Sequence, residues 1–206
     1  AGHSYAFGAI AWDWVARRSL ATDPPGPTTT VEVTDPDPDP EPNPDPLASL
    51  TCGGRTAAQW RQLGVRVFVG TSSAETLVGT AGPDVLIGGG GVDRIKGRGG
   101  SDVICSGAGN DIVVGGGGAD WILGGAGVDI LKGGRGDDRI LGGAGADSVV
   151  GGRGGDRIRG GGGQDRLSGG SGDDELHSRD RHADLVRGGR GNDAVRADGS
   201  DRVRGV

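Results

Sequence analysis

The chain has 206 residues, 47 of them glycine, with 33% hydrophobic residues and seven aromatic side chains (four Trp, one Tyr, two Phe). Glycine at roughly three times its usual share, with so few large apolar groups, excludes an ordinary globular core and leaves disorder or a repeat architecture. The formal net charge of −6 lies wholly in residues 1–50, which carry eight acidic and two basic side chains, whereas residues 51–206 carry twenty of each.

Residues 1–34 are expected to form a partly disordered N-terminal segment. Its apolar stretch from Tyr5 to Ala16 is too short to span a bilayer and contains Asp13. The first residue is Ala rather than Met, as expected of a mature product or a fragment. Residues 35–46, DPDPDPEPNPDP, alternate proline with acidic or amide residues. Each proline fixes φ and lacks an N–H, so this segment reads as an extended, semi-rigid linker. Residues 47–69 read as a small N-terminal cap. Thr56 can N-cap a short helix, AAQWRQL, that presents Trp60 and Leu63 on one side. Gly64 would end it, and Val65–Val69 alternates like a strand.

Residues 70–206 follow a nine-residue period. After a degenerate first copy, GTSSAETLV, with Glu75 at position six, eleven repeats run in register from Gly79 to His177. Position four is always glycine, position six always Asp, and position eight always Leu, Ile or Val. The frame slips by one residue in SRDRHADLVR, recovers in GGRGNDAVR (188–196) and shortens in ADGSDRVR.

The consensus GGxGxDxUx, with U aliphatic, resembles the nonapeptide of the repeats-in-toxin (RTX, hemolysin-type) calcium-binding proteins. The resemblance implies an all-β fold: a right-handed parallel β-roll, a solenoid with two repeats per coil. Each GGxGxD would form a turn and each xUx a short strand, with Ca²⁺ bound between adjacent turns. The residue types suit that geometry, because glycines permit positive φ and present bare carbonyls, and carbonyl and carboxylate oxygens are hard ligands for Ca²⁺. Residue eight alone would point inward, since side chains alternate along a strand.

The expected metal residues fall in two rows, eighteen residues apart within each. Asp84, Asp102, Asp120, Asp138, Asp156 and Asp174 would line one edge, and Asp93, Asp111, Asp129, Asp147 and Asp165 the other. Asp193 joins the set in the recovered repeat; like Asp184 and Asp201 it is a weaker candidate, because the frame has slipped. Glu75 is longer than Asp and is not expected to make a full site, and Pro83 and Ser106 put their own turns in question. One buried aliphatic side chain per nine ordered residues is little apolar burial against the entropy of ordering them. The metal-free chain is therefore expected to be largely unfolded and the calcium-loaded chain rigid.

Positions seven and nine face outward on alternate sides. One side collects Val85, Ile87, Val103, Cys105, Trp121, Leu123 and Leu141, an apolar strip that asks for a partner. A Cys52–Cys105 disulfide would pull the cap over this strip, with Trp60 and Leu63 as contacts. TCGG at 51–54 and VICSG at 103–107 resemble the CGG lead-in and ICxG repeat of secreted calcium-binding repeat proteins of Gram-positive bacteria, which supports the bond; two unpaired thiols are the alternative. Toward the C-terminus Arg139, Arg157, Arg159 and Arg166 face outward. Calcium loading would make the neutral repeat region cationic, so an anionic cell-surface polymer or polysaccharide is the expected partner ahead of nucleic acid.

No HExxH or GxSxG motif is present, and His177, Asp180, His182 and Asp184 read as a polar loop in the broken repeat rather than a transition-metal site. Position three carries no Thr or Asn ladder of the kind ice binding would use. The expected function is a secreted, extracellular or cell-surface calcium-binding module acting as a structural or surface-interaction scaffold, not an enzyme. The alternative is the C-terminal module of a larger secreted enzyme such as a protease or lipase.

Overall fold

The structure, a computed structural model, describes residues 51–205; the expectations for the segment 1–34 and the linker 35–46 lie outside the described residues. The cap begins with a two-strand antiparallel ribbon, β1 (Thr51–Cys52) and β2 (Arg55–Thr56), followed by one short helix, α1 (Ala57–Gln62). Sixteen strands then build the solenoid. They are β3 (Arg66–Val69), β4 (Thr76–Val78), β5 (Asp84–Gly90), β6 (Arg94–Gly99), β7 (Val103–Ala108) and β8 (Ile112–Gly117). Next come β9 (Trp121–Ala126), β10 (Ile130–Arg135), β11 (Arg139–Ala144), β12 (Ser148–Arg153) and β13 (Arg157–Gly162). The series ends with β14 (Arg166–Ser171), β15 (Glu175–His177), β16 (Leu185–Arg190), β17 (Ala194–Arg196) and β18 (Arg202–Arg204).

Successive strands alternate between two eight-stranded parallel sheets, an odd sheet from β3 to β17 and an even sheet from β4 to β18. Each strand pairs with the one two repeats away, so the register step is eighteen residues, as in Ile130 opposite Ser148. The strands are longer than the expected three residues. The ladder runs through positions seven to nine, skips position one, and resumes at positions two and three, as in Gly134 opposite Gly152 and Arg135 opposite Arg153. Glycines at positions one and two let the pairing continue around this bend, so only positions four to six remain as the turn. Glycines at positions two and four take the left-handed backbone that this path requires, for example Gly125 (φ 104°) and Gly127 (φ 135°).

Position eight fills the interior, as expected. A single file from Leu86 and Ile95 through Ile140 to Leu176 and Val186 is buried, with Phe68, Leu77 and Val195 partly buried at its ends. The slipped frame is absorbed without loss of pairing. Arg166 faces Leu185, a step of nineteen, and Leu185 faces Arg202, a step of seventeen.

Thr56 caps α1 through a reciprocal box: its hydroxyl accepts from the Gln59 N–H at 3.2 Å, and its own N–H donates to Gln59 Oε1 at 2.8 Å. Cys52 is bonded to Cys105. That bond lays the cap on the odd sheet, where Trp60, Cys52, Val85, Ile87, Val103 and Cys105 form a second buried cluster with Trp121 and Leu123 packed against it. The Trp60 indole N–H donates to the Cys52 carbonyl at 2.8 Å, so its one polar group is satisfied inside the cluster. Leu63 is a correction. The helix ends at Gln62, and Leu63, at the C-cap, stays 53% exposed instead of joining Trp60. Among the described residues no helix is long and apolar enough to cross a membrane.

Candidate metal centres

Position six sits where the turn re-enters the next strand, and its side chain folds back under the turn. Twelve residues of the two rows, from Asp84 to Asp184, are 0–2% exposed. From Asp93 onward one carboxylate oxygen of each, Oδ1, accepts a hydrogen bond from the backbone N–H of the acidic residue one coil earlier. The Asp102 N–H thus donates to Asp120 Oδ1 at 2.9 Å, and Asp129 and Asp147 repeat the contact at 2.9 Å on the other edge. The pattern starts with Glu75 N–H donating to Asp93 and continues across the slipped frame, with Asp165 donating to Asp184 at 2.8 Å and Asp174 to Asp193 at 3.0 Å.

The second oxygen has no such partner. Oδ2 of Asp93, Asp102, Asp111, Asp120, Asp129, Asp138, Asp147, Asp156, Asp165, Asp174, Asp184 and Asp193 is buried and accepts no hydrogen bond. A buried carboxylate oxygen left bare is costly, and here the cost recurs at every interior turn. Desolvation pushes Asp102, Asp120, Asp129, Asp138, Asp156 and Asp184 up to about 7, and Asp147 and Asp165 up to about 6. The amide bond to Oδ1 pulls each of them back in part. Burial also raises Asp111 and Asp174.

Position one shows what these oxygens face. A side chain crowds this space: a Cβ on Gly97 would lie 2.2 Å from Asp102 Oδ2 and 2.6 Å from the Gly115 carbonyl oxygen of the next coil. Gly133 repeats this with Asp138 Oδ2 at 2.2 Å and the Gly151 carbonyl at 2.7 Å. At these turns carboxylate and carbonyl oxygens therefore open onto one small space that glycine leaves free. No group of three or more His, Cys, Asp or Glu side chains able to hold a metal occurs among the described residues, and the protein oxygens beside each bare carboxylate oxygen are backbone carbonyls such as those of Gly115 and Gly151. An all-oxygen set of that kind fits Ca²⁺ and not the metals that favour thiolate or imidazole.

The family model for the RTX calcium-binding nonapeptide repeat matches residues 69–104, 106–140, 141–176 and 180–205. The chain belongs to this family. It therefore carries a Ca²⁺-binding RTX repeat module, and the unmatched residues 177–179 fall where the frame slips. No curated protein matches the chain.

Within the RTX roll all twelve Asp positions expected from the sequence fall into the two rows, but one differs in its bonding. Asp84 Oδ2 accepts from the Thr80 N–H at 2.5 Å and the Thr80 hydroxyl at 2.8 Å, while its Oδ1 lies 3.6 Å from Arg66 Nε. Glu75 is held in the same way, by the Thr71 N–H at 2.9 Å and the Thr71 hydroxyl, and these bonds lower its pKa. At the other end Asp201 Oδ2 accepts from the Ser178 hydroxyl at 2.8 Å and the Asp198 N–H at 2.9 Å.

Ser106, at position one, places its hydroxyl where other turns have only a glycine hydrogen, and donates to the Gly124 carbonyl at 2.7 Å. The roll thus uses up one carbonyl beside Asp111. Asp184 ranks as a weaker candidate on sequence, yet the structure gives it the same burial, amide bond and bare oxygen as its neighbours. Val186 two residues later and the Gly188–Gly189 pair were the local signal for it. The His177, Asp180, His182 and Asp184 cluster is not assembled around one point. His177 Nε2 contacts Glu175 at 3.1 Å, and His182 Nδ1 contacts Asp180 at 2.7 Å.

Proposed function

We propose that this RTX roll is a secreted, calcium-dependent scaffold, largely unfolded at low calcium, that folds as ions settle between its turns. The observation that carries the reading is the double row of buried carboxylate oxygens with no hydrogen-bond partner. Asp93, Asp102, Asp111, Asp120, Asp129, Asp138, Asp147, Asp156, Asp165, Asp174 and Asp193, joined by Asp184, would offer Oδ2, and Asp84 its Oδ1. Position-one carbonyls such as that of Gly115 would share each ion. When bound, Ca²⁺ supplies the positive charge that the desolvated carboxylates lack. The amide bond to Oδ1 meanwhile holds each carboxylate in one orientation, so the free oxygen is already aimed.

Export to a calcium-rich, oxidising compartment is supported by the family's usual secretion and by the Cys52–Cys105 bond. We read the roll as a scaffold rather than a catalyst, since its buried carboxylates all belong to the turn ladders. Its surface partner in this reading is an anionic cell-surface polymer. The test is far-UV circular dichroism during a calcium titration from EGTA to about 10 mM, with magnesium as control. The expected result is a cooperative coil-to-β transition with calcium alone; a roll already complete in EGTA would refute it.

A further inference from the structure

The two sheets present unlike outer faces. On the odd sheet the N-terminal strands lie under the cap, and the C-terminal arginines have acidic company: Arg157 Nε is 3.2 Å from Glu175, and Arg196 Nη2 is 3.9 Å from the same carboxylate. On the even sheet neither outward row, at positions seven and nine, contains an acidic residue in any of the eight strands. Its C-terminal strands β12, β14, β16 and β18 carry Arg153, Arg166, Arg187, Arg190, Arg202 and Arg204, all exposed. Among the described residues none of the six makes an ion pair.

The register turns these residues into a lattice. Arg187 stands directly opposite Arg204, Arg166 and Arg202 flank Leu185, and Arg153 and Arg190 flank Ser171. Adjacent strands are about 4.8 Å apart, and like charges opposite each other across strands are destabilising. Among the described residues no ion pair to these six arginines offsets that cost. The acidic residues at its rims are tied down by backbone amides: Oδ1 of Asp137 and Asp173 accepts at 2.8 Å from Gly155 and at 2.9 Å from Asn192, and Oδ2 of Asp180 and Asp198 accepts at 2.9 Å from Gly163 and at 2.7 Å from Arg181. Residues 51–206 are formally neutral, so ions bound in the turns would leave the roll cationic with this face its most concentrated positive surface.

We infer that the C-terminal half of the even sheet, through Arg153, Arg166, Arg187, Arg190, Arg202 and Arg204, is the docking face for an extended acidic polysaccharide. This rests on the reading of the roll as a calcium-folded scaffold and moves its charged face from the mixed arginines expected on sequence to one sheet. Guanidinium forks pair in bidentate fashion with carboxylate or sulfate groups, and a parallel sheet in register repeats them from strand to strand, as a linear polyanion repeats its charges. The even sheet's outward rows contain no aromatic residue, so the face has no stacking platform of the kind that holds single-stranded nucleic acid.

The experiment uses the full chain in about 1 mM calcium, with dextran sulfate as the probe and neutral dextran and single-stranded DNA as controls. Wild type is expected to bind dextran sulfate in a salt-dependent way and to ignore dextran. The variant Arg166→Glu/Arg187→Glu/Arg202→Glu is expected to lose roughly 100-fold in affinity, and to flatten the salt dependence, at low salt. A gentler pair, Arg187→Gln/Arg204→Gln, relieves the facing charges and should still lose roughly tenfold. Arg139→Glu on the odd sheet should change affinity by less than about threefold. Undiminished binding by both even-sheet variants would overturn the inference, as would DNA bound as tightly as dextran sulfate. Calcium titrations on the same proteins separate the two readings. If wild type is folded without calcium and the even-sheet variants still lose dextran sulfate, the switch is refuted and the face is supported.

Discussion

At Glu75 and Asp84 the carboxylate is held by a threonine four residues earlier, whereas from Asp93 to Asp193 the corresponding oxygen faces no donor at all. The difference arises at position two. Interior turns place glycine there with positive φ, as at Gly125, and have no side chain to offer. Thr71 and Thr80 occupy position two without the left-handed backbone, so their N–H and hydroxyl turn toward the carboxylate. Arg98 shows the third possibility, a side chain forced to φ 83° that keeps the glycine path. Asp201 ends the roll as it began, satisfied by Ser178 and the Asp198 amide. At the ends hydrogen bonds thus take up the oxygen that the interior turns leave bare, so dependence on a cation is concentrated in the interior, and the disulfide-anchored cap lies at one such end.

The largest effect expected is that of pH with calcium chelated. In the folded roll Asp102, Asp120, Asp129, Asp138, Asp156 and Asp184 hold protons up to about 7, against an ordinary value of 3.8 in the unfolded chain. Between those values the roll binds more protons than the unfolded chain, so metal-free stability is greatest at low pH and is lost as pH rises through about 7. Circular dichroism in EDTA should therefore show β structure at about pH 4.5 that disappears by about pH 8. With calcium present the order reverses: protons compete for the same oxygens, and the calcium midpoint should rise as pH falls below about 7. A pH-independent signal in EDTA would break the distinction between ends and interior.

Removing the disulfide comes next. The Cys52→Ser/Cys105→Ser chain opens a link spanning 53 residues and should lose about 2–4 kcal/mol in calcium, read by chemical denaturation. If the cap stabilises the first coils, that loss should reach beyond the Trp60 cluster, as protection of the β5 and β7 amides from hydrogen exchange would reveal.

Two carboxamide substitutions compare the regions directly. Asp138→Asn keeps an oxygen for the amide bond but gives up the charge, and should raise the calcium midpoint about tenfold, near 1.4 kcal/mol. Asp201→Asn, at a carboxylate already engaged, should move the midpoint by less than about twofold. Equal shifts would abolish the contrast.

The smallest effects sharpen it. Thr80→Gly should strip Asp84 of its hydroxyl donor and make the first full turn calcium-dependent, shifting the midpoint upward about threefold. Ser106→Gly should free the Gly124 carbonyl and shift it slightly the other way. Calorimetry would count an added ion in the second variant.

Much of this molecule is legible from the period alone. Eleven Asp residues at nine-residue spacing determine two rows, and an aliphatic residue two places later determines a one-file core, because parallel strands in register stack equivalent positions. The apolar strip on the odd sheet and its cover by the cap follow from the same alternation, together with two cysteines. Tertiary structure decided the remainder. It took Leu63 out of the cap's contact with the strip, since a six-residue helix stops before reaching it, and restored Asp184 to its row by absorbing one residue in a loop. It also separated arginines paired with Glu175 on the odd sheet from unpaired ones on the even sheet, and carboxylates held by threonine or serine from bare ones. A repeat in sequence sets which positions stack. Whether a stacked oxygen or guanidinium finds a partner depends on the atoms of the adjoining coil, seventeen to nineteen residues away, and on the local φ that aims them.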